Sequence, residues 1–261
     1  MRMNTGRLAA VVRKEFRDYR RSRSIVGTMA VLPIVFLVEP MALIFRLAPS
    51  VSASMVDRSV GTAFLLLLVV PALVPAVLAA YSVVGEREQG TLEPLLTTPV
   101  RREELLLGKA LATIVPAVGI AYVLFAVIEV SAQLFASNAA VAPALRQGPH
   151  VLAEILFAPL LAGWSTWVAT GISVRASDVR VAQQLGTLAS LPPLMVVALL
   201  SFNVFAPSIN LAVMFALALL AADVVLWRVV SAMFDRERLI TGARAAKPIQ
   251  AGGRGARRTS V

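Results

Sequence analysis

Long apolar stretches alternate with short charged segments along this chain of 261 residues. A helix needs about 20 mostly apolar residues to cross the hydrocarbon of a bilayer. Residues 181–222 hold no charged side chain over 42 positions, enough for two such helices with a turn at residues 203–208. With four earlier stretches they give six spans, at about 25–45, 60–84, 105–131, 155–174, 184–202 and 209–230. The pattern predicts an all-α membrane protein with six transmembrane helices.

The composition agrees with a membrane protein and narrows the possible chemistry. Hydrophobic residues make up 58% of the chain and charged residues 15%, and the mean hydropathy is +0.78. A soluble domain of this size could not bury that much apolar surface. The lack of cysteine excludes disulfides and thiolate metal sites, and with a single histidine it argues against an intramembrane enzyme. We expect a chain with no catalytic residue and no metal site.

The basic residues predict the orientation in the membrane. With both termini in the cytoplasm, 22 of the 25 lysines and arginines lie on the inner side, and the outer side keeps Arg46, Arg58 and Arg146. Inner loops of membrane proteins carry such an excess of positive charge. We expect a multi-pass protein of the cell (plasma) membrane whose net charge of +10 attracts anionic lipid rather than nucleic acid. His150, in the long outer loop 132–154, is expected to be solvated.

The two ends of the chain are polar and basic. Within residues 1–24, apolar and basic side chains occupy opposite faces of a helix. The apolar face holds Leu8, Val11, Val12, Phe16 and Tyr19, and the basic face holds Arg13, Lys14, Arg17, Arg20 and Arg21. This pattern is typical of an amphipathic helix in the headgroup plane, and a disordered basic tail or a cleaved signal sequence are its alternatives. Residues 241–261 are predicted to be a disordered basic tail, which leaves 25–240 for the membrane domain.

A charged segment separates the second and third predicted spans. Glu86, Arg87 and Glu88 stand where the second span leaves the bilayer, and acids there can pair with arginines of the N-terminal helix. Each such exposed pair contributes only about 0 to 1 kcal/mol, but several together can fix an orientation.

The residues that follow predict a short helix at about 90–100. Thr91 suits an N-cap and Pro94 the first turn, where its missing N–H costs little. Its apolar face would hold Leu92, Leu95 and Leu96. Thr98 and Pro99 then end this helix and begin the next one, as cap and first helical residue.

This segment resembles a known family. The pattern Gly-Glu-Arg-Glu-x-Gly-Thr-Leu-Glu-x-Leu-Leu-x-Thr-Pro-Val from Gly85 to Val100 is similar to permease subunits of ABC-2 type ATP-binding-cassette transporters. The resemblance extends to about Gly242 and includes the basic segment before the first span. It implies that the basic segment before the first span is an elbow helix, with Lys14, Glu15, Phe16 and Arg17. It also implies that the charged segment between the second and third spans, which we call the charged island, contains a coupling helix. The residues implied in docking an ATPase are Glu86, Arg87, Glu88, Gly90, Thr91, Leu92, Glu93, Leu95, Leu96, Thr98, Pro99 and Val100.

The resemblance also implies partners that the chain does not contain. A Gly-x-x-x-x-Gly-Lys-Ser/Thr phosphate loop is missing, because Gly108-Lys109 lacks both the earlier glycine and the following hydroxyl residue. ATP and Mg²⁺ would therefore bind to separate cytoplasmic ABC ATPase subunits, two per transporter, and no cofactor is expected in this chain. A second permease copy or a paralogue would complete the pathway.

Acidic residues inside the predicted spans are candidates for a substrate path. An ionisable residue in hydrocarbon is costly and usually faces protein or water. Glu39, Glu129 and Asp223 are these residues; alternatively, Glu129 lies at the outer interface and Asp223 pairs with Arg228. The resemblance and the short outer loops favour an exporter of drugs, antibiotics or other lipophilic substrates. The alternatives are a gradient-driven secondary transporter, which would have no use for the charged island, and a membrane scaffold that recruits an ATPase for envelope or cofactor assembly.

Overall fold

The structure is a computed structural model that describes residues 4–92, 98, 100–201 and 209–233, and every regular element in these ranges is helical. The helices are α1 (Thr5–Arg21), α2 (Arg23–Phe45), α3 (Ala53–Ala80), α4 (Arg102–Phe135), α5 (Val141–Leu145), α6 (Gly148–Arg175), α7 (Val179–Ala189), α8 (Leu191–Ser201) and α9 (Ile209–Met233). After α3 the chain continues through a π-helical turn (Tyr81–Gly85) into one α-helical turn (Glu86–Glu88). The predicted turn at 203–208, the tail at 241–261 and most of the predicted short helix lie outside the described residues.

The six predicted spans are confirmed in number within the described ranges. Segments long and apolar enough to cross a membrane are Ile25–Phe45, Ala53–Glu88, Arg102–Phe135, His150–Arg175, Val179–Leu200 and Ile209–Met233. The second and third extend beyond the predicted 60–84 and 105–131 at both ends. The extensions contain charged residues, and the contacts of those that follow the second predicted span and precede the third are described below.

The bundle is built around α3. In its most apolar window 83% of the residues are buried, against 17% in α2 and 11% in α9. Helices α2, α4, α6, α7 and α8 all pack on α3, whereas α9 packs mainly on α6. Because α2 and α9 leave most of their apolar side chains at least partly exposed, the outer surface of the bundle is hydrocarbon-like, as a bilayer requires.

The fifth predicted span is two helices rather than one. Helix α7 ends at Ala189, and α8 begins at Leu191 with Pro192 and Pro193 in its first turn. Proline is tolerated there because the first N–H groups of a helix have no partner in the helix. The indole Nε1 of Trp164 donates to the carbonyl of Ala189 (2.9 Å). The predicted span at 184–202 thus contains a break between two helices.

The end of the bundle that carries α5 is held by polar contacts. Arg146 pairs with Glu129, and Asn138 Nδ2 donates to the Ala48 carbonyl (2.9 Å). The expectation of a solvated His150 is wrong: its ring stacks on Phe64 with centroids 5.0 Å apart, and Nδ1 donates to the Ala144 carbonyl (3.1 Å). We call this end the α5 end and the opposite one, where α1 lies, the α1 end.

The π-helical turn after α3 is supported by a serine from another helix. A π turn disturbs the regular ladder of backbone hydrogen bonds. Ser173 of α6 accepts hydrogen bonds from the N–H groups of Val83 (3.3 Å) and Val84 (3.1 Å) and donates to the Ala80 carbonyl (2.6 Å). One buried hydroxyl thus satisfies three backbone groups, which explains why the irregular turn can stand in a buried position.

Because Ser173 supports the π turn, its substitution should lower the folding stability. Ser173→Ala leaves buried N–H and C=O groups without their partner, so we expect a loss of roughly 1–3 kcal/mol of folding stability. The thermal midpoint of the detergent-solubilised protein measures it. Ser177→Ala, the same change at an exposed serine nearby, is the control and should leave the midpoint unchanged. Equal midpoints for both variants would contradict the role assigned to Ser173.

Candidate functional site

Two lysines and two glutamates from three elements meet where α1 packs on α4. Lys109 Nζ lies 2.9 Å from Glu15 Oε1 and 2.9 Å from Glu86 Oε1. Lys14 Nζ lies 3.1 Å from Glu15 Oε1 and pairs also with Glu86. These four residues form what we call the charge cluster. Three of them are buried, while Lys14 is partly exposed and reaches Asp18 at the rim (3.0 Å). The two positive and two negative charges cancel, so the buried cluster is neutral.

The electrostatics of the cluster favour its charged form. Burial raises the pKa of the Glu15 carboxyl, but the ammonium groups of Lys109 and Lys14 outweigh burial and hold this pKa below its ordinary value. For Lys14, burial acts against the charge, yet the Glu15 and Glu86 carboxylates hold the pKa well above its ordinary value. The cluster therefore binds α1 to α4 and to the end of α3 through ion pairs at neutral pH.

The cluster forms because α1 and α4 approach closely. A Cβ at Gly108 would lie 2.6 Å from Val11 Cγ1 and 2.8 Å from Val11 Cβ, too close for any side chain. One turn further, Thr113 Oγ1 donates to the Lys109 carbonyl (2.8 Å) and so accepts from the buried Tyr19 hydroxyl (3.3 Å). Glycine and threonine thus fit α4 to the buried face of α1.

The buried face of α1 differs from the predicted apolar face. Val11, Glu15 and Tyr19 are buried, whereas Phe16 and Arg17 are exposed. Glu15 can be buried at the centre of this otherwise apolar face because Lys109 lies opposite it and neutralises its charge. The sequence contained this signal: an acid one helical turn from both Val11 and Tyr19, and a lysine at the start of an apolar span.

The turn Glu86–Glu88 contacts four other helices. Glu86 joins the charge cluster of α1 and α4. Arg87 donates from Nη1 to the Ala176 carbonyl and from Nη2 to the Val174 carbonyl (3.2 Å each), at the C-terminal end of α6. Glu88 Oε1 accepts from the Val179 N–H (3.1 Å), at the start of α7. Arg87 and Glu88 thus each lie at a helix end whose dipole their charge complements.

The sequence predicted that the acids among these residues pair with arginines of the N-terminal helix, and the structure corrects this prediction. Of the three, Glu86 reaches α1, and its partners are lysines rather than arginines. Arg87 and Glu88 bind the ends of α6 and α7 instead. We name Glu86, Arg87 and Glu88 the anchoring turn.

The chain leaves the anchoring turn through a glycine. Gly90 has φ +67°, a left-handed conformation that glycine adopts without steric cost. The Thr91 N–H and hydroxyl both donate to the Glu86 carbonyl (2.9 and 3.3 Å), and Leu92 is buried. Thr91 therefore closes the preceding turn. Of the other predicted docking residues, Glu93, Leu95, Leu96 and Pro99 lie outside the described residues.

The start of α4 corrects another prediction. The N-cap is Arg101, not Thr98, and α4 begins at Arg102. The buried Glu104 carboxylate accepts from the N–H of Arg101 (3.1 Å) and from the N–H of Asn4 (2.9 Å), which precedes α1. Glu104 thus ties the beginnings of α1 and α4 together and was missed as a site residue.

The three acids predicted for a substrate path lie in three different environments. Glu39 is exposed on α2, and Glu129 on α4 pairs with Arg146 and accepts from Gln133 Nε2 (2.9 Å). Asp223 on α9 lies against Gly163, where a Cβ would be 2.6 Å from Asp223 Oδ2. Within the described ranges no hydrogen bond or ion pair joins any two of these acids, and none joins Asp223 to Arg228.

A fourth membrane acid was missed by the sequence analysis. Glu154 in α6 is fully buried, and neither carboxylate oxygen has a hydrogen-bond partner in the described part of the chain. Glu154 stands at the end of the predicted outer loop 132–154, but α6 begins earlier than the predicted span, so Glu154 lies inside the helix. A sequence count of charges cannot show which side of a helix turns inward.

Two cavities open at the α1 end, one on each side of the last turns of α9. The first, of about 530 Å³, lies between α6, α7 and α9; it is mostly apolar and is lined by residues that include Trp167, Leu185 and Met233, with Arg175 also present. The second, of about 580 Å³, lies between the start of α4 and α9 and is lined by Arg101, Arg102, Glu103, Trp227, Arg228, Ser231 and Ala232.

The six long apolar helices define a multi-pass helical membrane protein, with its buried charges paired at one end. Residues 9–235 match the family described as ABC-2 family transporter protein, and the chain belongs to this family. It is therefore the membrane component, the permease, of an ABC transporter, a kind of subunit that is generally non-catalytic and works with an ABC ATPase. A comparison with curated proteins finds no match.

The charge cluster predicts a specific pattern of stability. Lys109→Met removes its fully buried cation and leaves two carboxylates facing Lys14, so we expect a loss of about 3–5 kcal/mol. Lys109→Met with Glu15→Gln restores neutrality and should be more stable than Lys109→Met alone. Unfolding of the purified protein in detergent measures both.

The exposed Arg17 provides the control for these variants. Arg17→Gln removes a positive charge from the same helix outside the cluster and should change stability by less than about 0.5 kcal/mol. A double variant less stable than Lys109→Met would show that Glu15 and Lys109 do not compensate each other.

Proposed function

We propose that this permease exports drugs, antibiotics or other lipophilic compounds, powered by ATP hydrolysis on a separate ATPase that docks at the segment 86–100. One observation carries the proposal: the anchoring turn, at one end of that segment, is bonded to α1, α4, α6 and α7. A force on the segment would therefore act on most of the bundle at once.

The proposed mechanism follows from this linkage. ATP binding closes two ATPase subunits, one on each of two permease copies, and their motion displaces residues 90–100. Gly90 lets the chain turn sharply, while the ion pairs of the anchoring turn transmit the displacement to the helix ends. Helices then shift between inward and outward access, because each state binds the nucleotide-loaded ATPases differently. In this scheme α1 is the elbow helix and the α1 end faces the cytoplasm.

The described residues support a lipophilic cargo more than a charged one. The cavity between α6, α7 and α9 is mostly apolar, with Arg175 as its charged lining residue. Glu129 is neutralised by Arg146, which makes it a structural residue of the α5 end. Glu39 and Asp223 are the acids that could meet a cationic group along the path.

Docking at residues 90–100 can be tested by substitution. A carboxylate placed on the predicted apolar face, in Leu95→Asp or Leu96→Asp, should remove most of the association with the ATPase because it would bury an unpaired charge in the contact. The tagged chain is isolated from its native membrane in mild detergent, and MgATP hydrolysis by co-purifying protein is measured.

Leu95→Met, which keeps an apolar side chain of similar volume, is the matched control and should retain the co-purifying activity. Membrane insertion and thermal midpoint should be the same for all variants. Full hydrolytic activity with Leu95→Asp would count against docking there, and transport on an ion gradient without any ATPase would favour the secondary transporter.

The orientation can be tested with single cysteines, since the chain has none. Ser177 lies exposed between α6 and α7 at the α1 end, and Ser137 lies exposed between α4 and α5 at the other. We expect Ser177→Cys to react with an impermeant maleimide only after permeabilisation, and Ser137→Cys to react in intact cells. The reverse result would overturn the cytoplasmic assignment of the α1 end.

A further inference from the structure

The cavity between the start of α4 and the last turns of α9 has an unusual excess of positive charge. Its lining contains Arg101, Arg102 and Arg228 against the single carboxylate of Glu103. No described acid pairs with Arg228, and the neighbouring Glu104 is turned away to bind backbone N–H groups. The lining therefore contains more positive than negative side chains.

The clearest sign of a missing anion is Arg102. Its Nε is buried and has no hydrogen-bond partner within the part of the chain that the structure describes. A buried donor without a partner is costly, and guanidinium groups bind phosphate oxygens through paired N–H donors. Ser231 adds a hydroxyl donor to the same lining. An oxyanion in the cavity would satisfy these groups.

The depth of the cavity indicates where such an anion comes from. Arg102 is the first residue of one membrane-spanning segment, and Ala232 is the next-to-last described residue of another, so the cavity lies where two spans end. Trp227 contributes an aromatic wall and is held by an edge-to-face contact with Trp167, centroids 5.0 Å apart. Tryptophan and arginine together are typical of the headgroup layer, where lipid phosphates lie.

We propose that this cavity binds the headgroup phosphate of an anionic phospholipid from the leaflet at the α1 end. Arg102 and Arg228 bind the phosphate oxygens, and Ser231 donates a further hydrogen bond. Trp227 packs beside the lipid next to its headgroup. Glu103 limits the affinity because it is the one negative charge in the lining. The bound lipid would join α9 to the start of α4, two helices that otherwise share few contacts.

The test measures lipid binding to the full chain in detergent by native mass spectrometry. The probes are dioleoylphosphatidylglycerol, dioleoylphosphatidylcholine and inorganic phosphate. We expect the phosphatidylglycerol to bind most tightly. Compared with the unaltered chain, Arg102→Gln and Arg228→Gln should each bind the phosphatidylglycerol roughly fivefold more weakly. Glu103→Gln should bind it several-fold more tightly.

Arg46→Gln with Arg58→Gln is the matched control, because it removes two exposed positive charges from the other end of the bundle. This variant should bind the phosphatidylglycerol like the unaltered chain. The proposal is overturned if the Arg102 and Arg228 variants bind it undiminished, or if Glu103→Gln binds it more weakly. It is also overturned if inorganic phosphate displaces the lipid at comparable concentration, which would identify a site for a soluble anion. The Glu103 variant keeps the test informative even if an arginine variant folds poorly.

Discussion

A charge buried between helices must find a partner, and the α1 end of this protein is organised around that constraint. Removing one partner of a buried ion pair costs about 3–5 kcal/mol, a large part of the stability of a small domain. Lys109 lies inside the bundle with its ammonium between Glu15 and Glu86, so α1, α4 and the end of α3 must be in place together. The positions of the anchoring turn and of the chain that leaves it follow from this requirement.

The number of spans could be predicted because the bilayer sets a minimum length that no other sequence feature imitates. Their ends could not, because the chain continues past the apolar stretches of the second and third spans into charged residues, such as Glu86 and Glu104, that are held by tertiary contacts. The π turn is a similar case: nothing local in residues 81–85 distinguishes it from an α-helix, and its support comes from Ser173, about 90 residues away. The break at Ser190 differs, because Pro192 and Pro193 stand next to it in the sequence and favour the start of a helix.

The charged island was the strongest feature of the sequence, and the structure divides it into two parts. Glu86, Arg87 and Glu88 are bonded to helices of the bundle, and the second part begins at Gly90, whose positive φ ends the anchoring turn. A motif shows which residues occur together but not their individual partners, which is why the lysines of the charge cluster were missed. Lys109 and Glu15 are 94 residues apart, and only packing brings them together.

Gly108 and Lys109 carry a consequence for how such permeases can be recombined. In the sequence this pair is notable only as part of an incomplete phosphate loop, yet in the structure Gly108 leaves room for Val11 and Lys109 pairs with Glu15. Residues 4–21 and the start of α4 therefore form one matched unit. A chimera that takes its N-terminal helix from another permease needs an acid opposite Lys109 and a side chain that fits over Gly108. An amphipathic helix with any other buried face would leave the lysine without a counterion, however well it bound the membrane surface.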